Sequence, residues 1–218
     1  MRVARSKVMF ESFLEWRKKV GLDAILSEVV DPAVEEVLDR AFCPKVLKGM
    51  DKRGRPILYC KMGTIDLPAL LAEGVTMDQL VRRHLRSVEA LQKKVEAARD
   101  PLQGHLSIVD IATCTPKKFL SGWRFWLQQA KIGQNYYPEL LGGTAVIRGP
   151  AAAEWAVRMI KKVMDKKTAD KISLWGAKTD PRKPLSDLLD EDVLAEIEGD
   201  LRLEEQGRAC AYLQTATV

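Results

Sequence analysis

The stretch that most narrows what this chain can fold into runs from Gln134 to Lys171. It begins Gln134-Asn135-Tyr136-Tyr137-Pro138-Glu139-Leu140-Leu141-Gly142-Gly143. The ring of Pro138 forbids a further helical turn and biases Tyr137 toward extended backbone. Gly142 and Gly143 predict a tight turn into Thr144-Ala145-Val146-Ile147, which is short, branched and apolar, as a buried strand should be. Gly149-Pro150 breaks that strand and opens a helix with Pro150 at or near its first turn. Over residues 151–163, Ala152, Trp155, Ala156, Met159, Ile160 and Val163 share one helical face, while Glu154, Arg158, Lys161 and Lys162 share the other. Asp165-Lys166-Lys167-Thr168-Ala169-Asp170-Lys171 then turns the chain into a strand over Ile172 to Trp175.

The rest of the chain reads the same way. Ser6 to Val20 is a helix with Val8, Met9, Phe13 and Trp16 in an apolar stripe, closed by Gly21. Asp31-Pro32 starts a helical segment through Arg40, and Pro44 marks its end. Asp51-Lys52-Arg53-Gly54-Arg55-Pro56 is a turn into the strand Ile57-Leu58-Tyr59-Cys60. Thr76 with Gln79 forms a capping box for a helix to about Ala98, with Met77, Leu80, Val81, Leu85, Val88, Leu91 and Val95 inward. His105 to Ile111 is a strand, and Thr115-Pro116 starts a helix. On that helix Phe119, Trp123, Trp126, Leu127 and Ala130 fall on one side, and it stops before Pro138. Asp180-Pro181-Arg182-Lys183-Pro184 is a polar break before helical periodicity returns over Leu185 to Ile197. Strands separated by helices of this length imply α/β units with right-handed crossovers and a largely parallel sheet. No internal repeat is present, and Glu204 to Val218 have too weak a pattern for regular structure.

Composition removes several function classes. Over 218 residues, 46% hydrophobic and 30% charged content describes a soluble globular chain with material for a large core. A net charge of +5 does not argue for nucleic acid, and it permits attraction to an anionic membrane surface. Cys43, Cys60, Cys114 and Cys210 make no metal-spaced pairs, and Cys60 and Cys114, in or beside strands, are expected as buried thiols. No signal-peptide pattern or apolar run of bilayer length is present, so a reduced cytosolic setting is expected. Catalytic signatures are missing as well: no Gly-x-Ser-x-Gly elbow, no phosphate-binding glycine loop and no His-Glu-x-x-His. His84 reads as a surface or half-buried helix residue, and His105, starting a strand, is ambiguous. Asp66 and Asp110 are not paired by spacing, and Asp110 is expected to hold a loop. An enzyme is not expected.

Asn135-Tyr136-Tyr137-Pro138-Glu139, a Gly-led strand, a Pro-started helix and Asp165-x-x-Thr168-x-x-Lys171-Ile172 together resemble the CRAL-TRIO family of lipid-binding and phosphatidylinositol-transfer proteins. The likeness extends upstream through the Asp51 to Pro56 turn and Ser107-Ile108-Val109-Asp110, and covers roughly residues 5 to 190. It implies an α/β fold in which a largely parallel or mixed sheet and flanking helices enclose a hydrophobic lipid pocket. It also implies a division into residues 1–45, a truncated form of the family's helical bundle, 46–200, the lipid-binding domain, and 201–218, a tail. Glu139, Thr168 and Lys171 match the positions that hold the phosphatidylinositol headgroup in the family; a salt bridge between Glu139 and Lys171 that closes the loop is the alternative. The helix over 151–163 matches the family's gate, with Gly149 and Pro150 as its hinge and Trp155, Met159, Ile160 and Val163 closing the cavity. The residues by themselves leave open whether that stripe simply covers the sheet. Lys161, Lys162, Lys166 and Lys167 are either a solvated face or a membrane-orienting cluster, each cation then contributing about 1 kcal/mol at an anionic surface.

Departures from the family pattern narrow the ligand. His105-Leu106-Ser107 stands where phosphatidylcholine-binding members carry Ser-x-Thr, and the long helix lacks their tyrosines, so phosphatidylcholine exchange is not expected. The family's closing strand is not recognisable after Asp192. The resemblance therefore implies a monomeric, non-enzymatic carrier or sensor of one phospholipid, phosphatidylinositol first. It would exchange that lipid at membranes through transient peripheral contact or present it to a lipid kinase, with no cofactor besides the lipid. A tocopherol-, retinoid- or squalene-like ligand is the alternative within the same fold, and a protein-interaction domain without lipid is the alternative outside it.

Overall fold

The computed structural model describes residues 2–137, 139–151, 153–164 and 166–205. Pro138, Ala152, Asp165 and the segment after Glu205, with Cys210 and most of the expected tail, lie outside the described residues, as do the side chains of Met9, Glu154 and Ala156. In chain order the elements are α1 (Arg2–Val20), α2 (Leu22–Ser27), α3 (Pro32–Ala41), β1 (Lys45–Met50), β2 (Pro56–Lys61), α4 (Leu67–Ala72), α5 (Met77–Glu96), β3 (His105–Asp110), α6 (Pro116–Ser121), α7 (Trp123–Tyr136), β4 (Leu141–Gly149), α8 (Ala153–Val163), α9 (Lys166–Ala169), β5 (Ile172–Gly176), α10 (Arg182–Ser186) and α11 (Glu191–Glu205).

Local chemistry sets most of these boundaries. Gly21, at φ 65°, supplies the left-handed residue that ends α1. Asp31, Asp66, Thr76 and Thr115 each accept from a backbone N–H in the first turn that follows, and Gln79 completes the Thr76 capping box. The sheet has the order β1-β2-β3-β4-β5, with β1 antiparallel to β2 and the remaining neighbours parallel. Strands that follow one another in both sequence and space through right-handed crossovers place the connecting helices on one face.

The two faces of this sheet differ. On one, Leu47, Ile57, Tyr59, Leu106, Ile108, Ala145 and Ile147 are sealed under Leu185, Leu189, Val193, Leu194 and Ile197 of α10, α11 and their connection. On the other, Cys60 is sealed among Leu38 and Phe42 at the end of α3, Ile65 before α4, and Leu67, Leu70, Leu80 and Phe125 of α4, α5 and α7. Register places Leu58, Ser107, Thr144 and Ile172 in one row across this second face, and Cys60, Val109, Val146 and Leu174 in the next. Leu58, Ser107, Val109, Thr144, Ile172 and Leu174 are only half-buried. Parallel strands are ordinarily covered on both sides, and this second face, where only Cys60 and Val146 of these two rows are fully buried, is covered less completely than the first.

Several expectations need correction. β1 was not foreseen: Lys45, Lys48 and Gly49 interrupt its apolar pattern, and only Leu47 is buried. Gly49 is required there because a Cβ would collide with the Val193 side chain. Gly142 and Gly143 lie inside β4 rather than in a turn before it. The helix expected from Thr115 to Pro138 is two helices, broken at Gly122, and the break shifts the phase so that Phe125 and Ile132 face inward along α7. The expected break at Asp180 to Pro184 already forms α10, and α11 continues past residue 200 to Glu205. Cys60 is buried in β2, whereas Cys114 is half-buried in the loop after β3. Along α1, Phe13 and Trp16 pack against the α2 and α5 cluster, but Val8 is exposed. His84 is half-buried on α5, where burial lowers its pKa to about 4.

Candidate functional site

The loop between α7 and β4 is pinned from several sides. Tyr137 N–H caps α7 on the Gly133 carbonyl, and Leu140 N–H bonds back to the Tyr137 carbonyl at 3.3 Å. Glu139 is left at φ 61°, a left-handed conformation that costs a non-glycine residue energy and persists only where its surroundings impose it. The imposing residue on the sheet side is His105, the first of β3. Its backbone N–H (2.9 Å) and its ring Nδ1 (2.7 Å) both meet the Leu140 carbonyl. A carbonyl only accepts, so Nδ1 carries a proton. Burial is the main cause that lowers the His105 pKa to about 4; the Arg55 and Lys171 charges lower it further, against the Leu140 bond.

Arg55 is itself committed. Asp51 Oδ2 accepts from its Nε at 2.7 Å, and Asp51 Oδ1 accepts from the N–H groups of Arg53 and Arg55. The Arg55 guanidinium lies against Gly142 and Gly143, and a side chain at Gly142 would also strike the Gln103 carbonyl. That close approach is the reason β4 opens with two glycines.

Facing the Glu139 loop is the turn built on α9. Lys171 N–H bonds the Thr168 carbonyl at 3.1 Å, and the Lys171 carbonyl accepts from Thr144 N–H at 2.9 Å, which joins the turn to β4. Lys171 Nζ donates to the Leu141 carbonyl and lies 3.9 Å from Glu139 Oε2. Lys167 Nζ is nearer, 2.5 Å from Glu139 Oε1. Thr168 is half-buried between these two lysines in sequence. The structure thus brings Glu139, Thr168 and Lys171 to one place at the amino ends of β4 and β5, and adds Lys167, which sequence reasoning had placed with the membrane-facing cations. Its spacing is the available signal: Lys167 and Lys171 stand four apart, as do groups on one side of a helical turn. The Glu139 carboxylate is 61% exposed, so its ion pairs contribute little to stability. A carboxylate held between two ammonium groups in water-accessible space is suited to exchanging partners with an incoming phosphate or hydroxyl.

α8 packs against α6, α9 and β5. Its apolar stripe is incompletely covered: Trp155 is 43% and Val163 42% exposed, while Met159 and Ile160 are half-buried. Trp155 meets Phe119 of α6 edge to face at 5.7 Å. Of the lysines, Lys161 is half-buried and donates to the Ile172 carbonyl at 2.9 Å, and Lys162 and Lys166 are exposed. Gly149 ends β4, and its carbonyl accepts from Ala177 N–H at 2.7 Å; Pro150 follows outside regular structure. Before it, Arg148 at φ 54° forms a two-pronged ion pair with buried Asp110, which also accepts from Tyr59 Oη and Ala112 N–H. Asp110 therefore holds a loop, as expected, and anchors the end of β4 as well. Asp66, the other carboxylate weighed as an acid or base, caps α4.

A cleft lined by Lys52, Arg53, Gly54, Arg99, Asp100 and Gln103 lies near the starts of β2 and β3; its lining is too polar for acyl chains. Among the described residues no group of His, Cys, Asp and Glu could hold a metal ion, and no helix is long and apolar enough to cross a membrane.

Comparison with known proteins converges on one family. The profile of the CRAL/TRIO domain matches residues 44–199. The chain is 30% identical over 184 residues to the phosphatidylinositol/phosphatidylcholine transfer protein SFH7 of Arabidopsis thaliana, covering 82% of this chain and 33% of that protein. It is 26% identical over 177 residues to the SEC14 cytosolic factor of Kluyveromyces lactis, covering 79% of this chain and 58% of that protein. The chain thus spans about a third of the length of the plant relative and less than two thirds of the other. A crystal structure of Sfh5 superposes with a TM-score of 0.62 at 17% identity, covering 80% of this chain and 61% of that one, a likeness of fold.

Proposed function

This chain belongs to the CRAL/TRIO domain family, and from that premise we propose that it binds one phospholipid, phosphatidylinositol, and exchanges it at membranes without chemical change to the lipid. In this reading the acyl chains lie between α8 and the half-buried sheet face that carries Leu58, Ser107, Val109 and Thr144. The headgroup meets Glu139, Thr168, Lys167 and Lys171 at the amino ends of β4 and β5. The names of the relatives, which are transfer proteins for phosphatidylinositol and phosphatidylcholine, support the class of ligand.

The observation that carries this reading is the inequality of the two sheet faces. A residue such as Val109, central in a parallel sheet and still accessible, leaves apolar contact unmade unless something else fills the space. Lipid chains are a suitable filler. A diacyl lipid carries roughly 30 methylenes, and at about 0.8 kcal/mol each their exposure to water costs on the order of 20 kcal/mol, so a carrier must enclose them and open only at a bilayer. The half-covered stripe of α8 supports its role as the gate, moving about Gly149-Pro150 while Arg148 stays tied to Asp110. The exposed Lys162 and Lys166 favour contact of that gate with an anionic surface. Arg55 cannot serve as an additional phosphate grip, because Asp51 already neutralises it.

The test is transfer of phosphatidylinositol between vesicles by the purified protein. The wild type is expected to transfer it, and Lys171→Ala and Glu139→Ala to lose transfer while retaining the unfolding temperature. Transfer that survives both substitutions rejects the headgroup assignment.

A further inference from the structure

The left-handed backbone of Glu139 is enforced on its sheet side by His105, but the helical side of the same loop is held by a separate, buried arrangement. Tyr137, two residues before Glu139, is 4% exposed and donates from its hydroxyl to Glu89 Oε1 of α5 at 2.6 Å. Burial first, and then the Glu89 carboxylate, push the Tyr137 hydroxyl far above its usual pKa, so it remains a donor. The other oxygen of Glu89, itself buried, accepts from Arg17 of α1 at 3.3 Å, and Arg17 also reaches Asp23 at 2.6 Å. Around this chain of bonds the rings interlock. Trp16 stacks on Tyr136 at 4.1 Å and 8°, and Phe13 and Trp16 both meet Tyr137 edge to face. Both oxygens of one buried carboxylate are therefore divided between the amino-terminal helix and the loop that presents Glu139.

We propose that Glu89 is a positioning residue for the Glu139–Lys167–Lys171 site: it fixes Tyr137 against α1 and so holds Glu139 in its left-handed turn within reach of both lysines. The physical case is one of alternatives. A non-glycine residue at positive φ relaxes toward extended or right-handed backbone when its flanks are freed. The nearest described residues on either side of Glu139 are Tyr137, whose hydroxyl is tied to Glu89, and Leu140, whose carbonyl is tied to His105. A buried carboxylate stripped of one donor is costly, so the Tyr137 bond is maintained rather than exchanged for water. Relaxation of the turn would carry the Glu139 carboxylate away from Lys167 and leave two ammonium groups facing each other. The amino-terminal helix, which contributes no residue to the headgroup cluster, acts on it through Arg17, Glu89 and Tyr137.

This inference rests on the lipid reading for its consequence but not for its geometry, so two readouts are needed. The first is lipid-free: a water-soluble carbodiimide joins a carboxylate to an amine only in contact, and the Glu139–Lys167 amide is quantified by peptide mass spectrometry. The second is phosphatidylinositol transfer between vesicles. Tyr137→Phe removes one oxygen and keeps the ring packing; Glu89→Gln keeps the volume of the side chain. Both are expected to lower the cross-link yield roughly tenfold, the scale of one hydrogen bond to a buried carboxylate, and to lower transfer, with helicity by circular dichroism retained. Unchanged cross-linking in both folded variants overturns the proposal. A fall in cross-linking with undiminished transfer upholds the positioning role and rejects Glu139 as a headgroup residue, which is a failure of the lipid reading.

Discussion

His105 shows how one buried side chain can couple loop geometry to pH. Its pKa falls from 6.5 to about 4 on folding, mainly through burial. Between those values the unfolded chain binds a proton that the native ring refuses, so stability rises with pH across this window and is fully present above about 6.5. The interval corresponds to about 3 kcal/mol. In His105→Asn the amide can still donate to the Leu140 carbonyl, but nothing titrates there. Urea unfolding at pH 7.5 and at pH 4 is expected to show the wild-type advantage over this variant shrinking by up to about 3 kcal/mol at the lower pH. An advantage that does not vary with pH would show that His105 is not held neutral. At this scale the family resemblance named Glu139, Thr168 and Lys171 together, and the fold sets them near one another at the amino ends of β4 and β5. The resemblance did not show that Lys167 is the nearer cation, that Asp110 pairs with Arg148, or that Glu89 bridges α1 to Tyr137. Those pairs join residues 28, 38 and 72 positions apart, at distances only the folded chain defines.

Among the elements, capped helices were the most legible. Thr76 and Gln79 are local to α5, and no distant contact is needed for their reciprocal bonds. Thr76→Ala is expected to lower stability by about 1 kcal/mol, read as a shift in the urea midpoint without change of slope; no shift would mean that packing alone sets the start of α5. Elements whose identity depends on neighbours were less legible. β1 carries few apolar residues and exists because β2 bonds it and Val193 of α11 fits the space beside Gly49. The break at Gly122 rotated the expected inward face of the following helix, because periodicity was continued through a point where the backbone restarts. Gly142 and Gly143 look like turn residues by type, yet they serve a strand whose neighbours, Arg55 and Gln103, leave no room for a Cβ.

For the molecule as a whole, the unequal faces of the sheet make a prediction that neither a residue nor an element makes alone. Ile108, sealed at 0% exposure beneath α10 and α11, and Ser107, half-buried on the opposite face, are adjacent in β3. Ile108→Ala is expected to cost about 2–5 kcal/mol by leaving a cavity. Ser107→Trp should be tolerated within about 1 kcal/mol if the space above it is open, while blocking lipid uptake measured by native mass spectrometry. A loss of about 1–3 kcal/mol or more, the usual cost of overpacking, would show that the second face is closed. The order of residues alone determined the alternation of most strands and helices and their caps, because each of these depends on backbone chemistry within a few neighbouring positions. Only the tertiary structure decided which sheet face is sealed and which is left accessible, and how α1 reaches the Glu139 loop, because these depend on side chains that meet only after the crossovers have stacked the helices on the sheet.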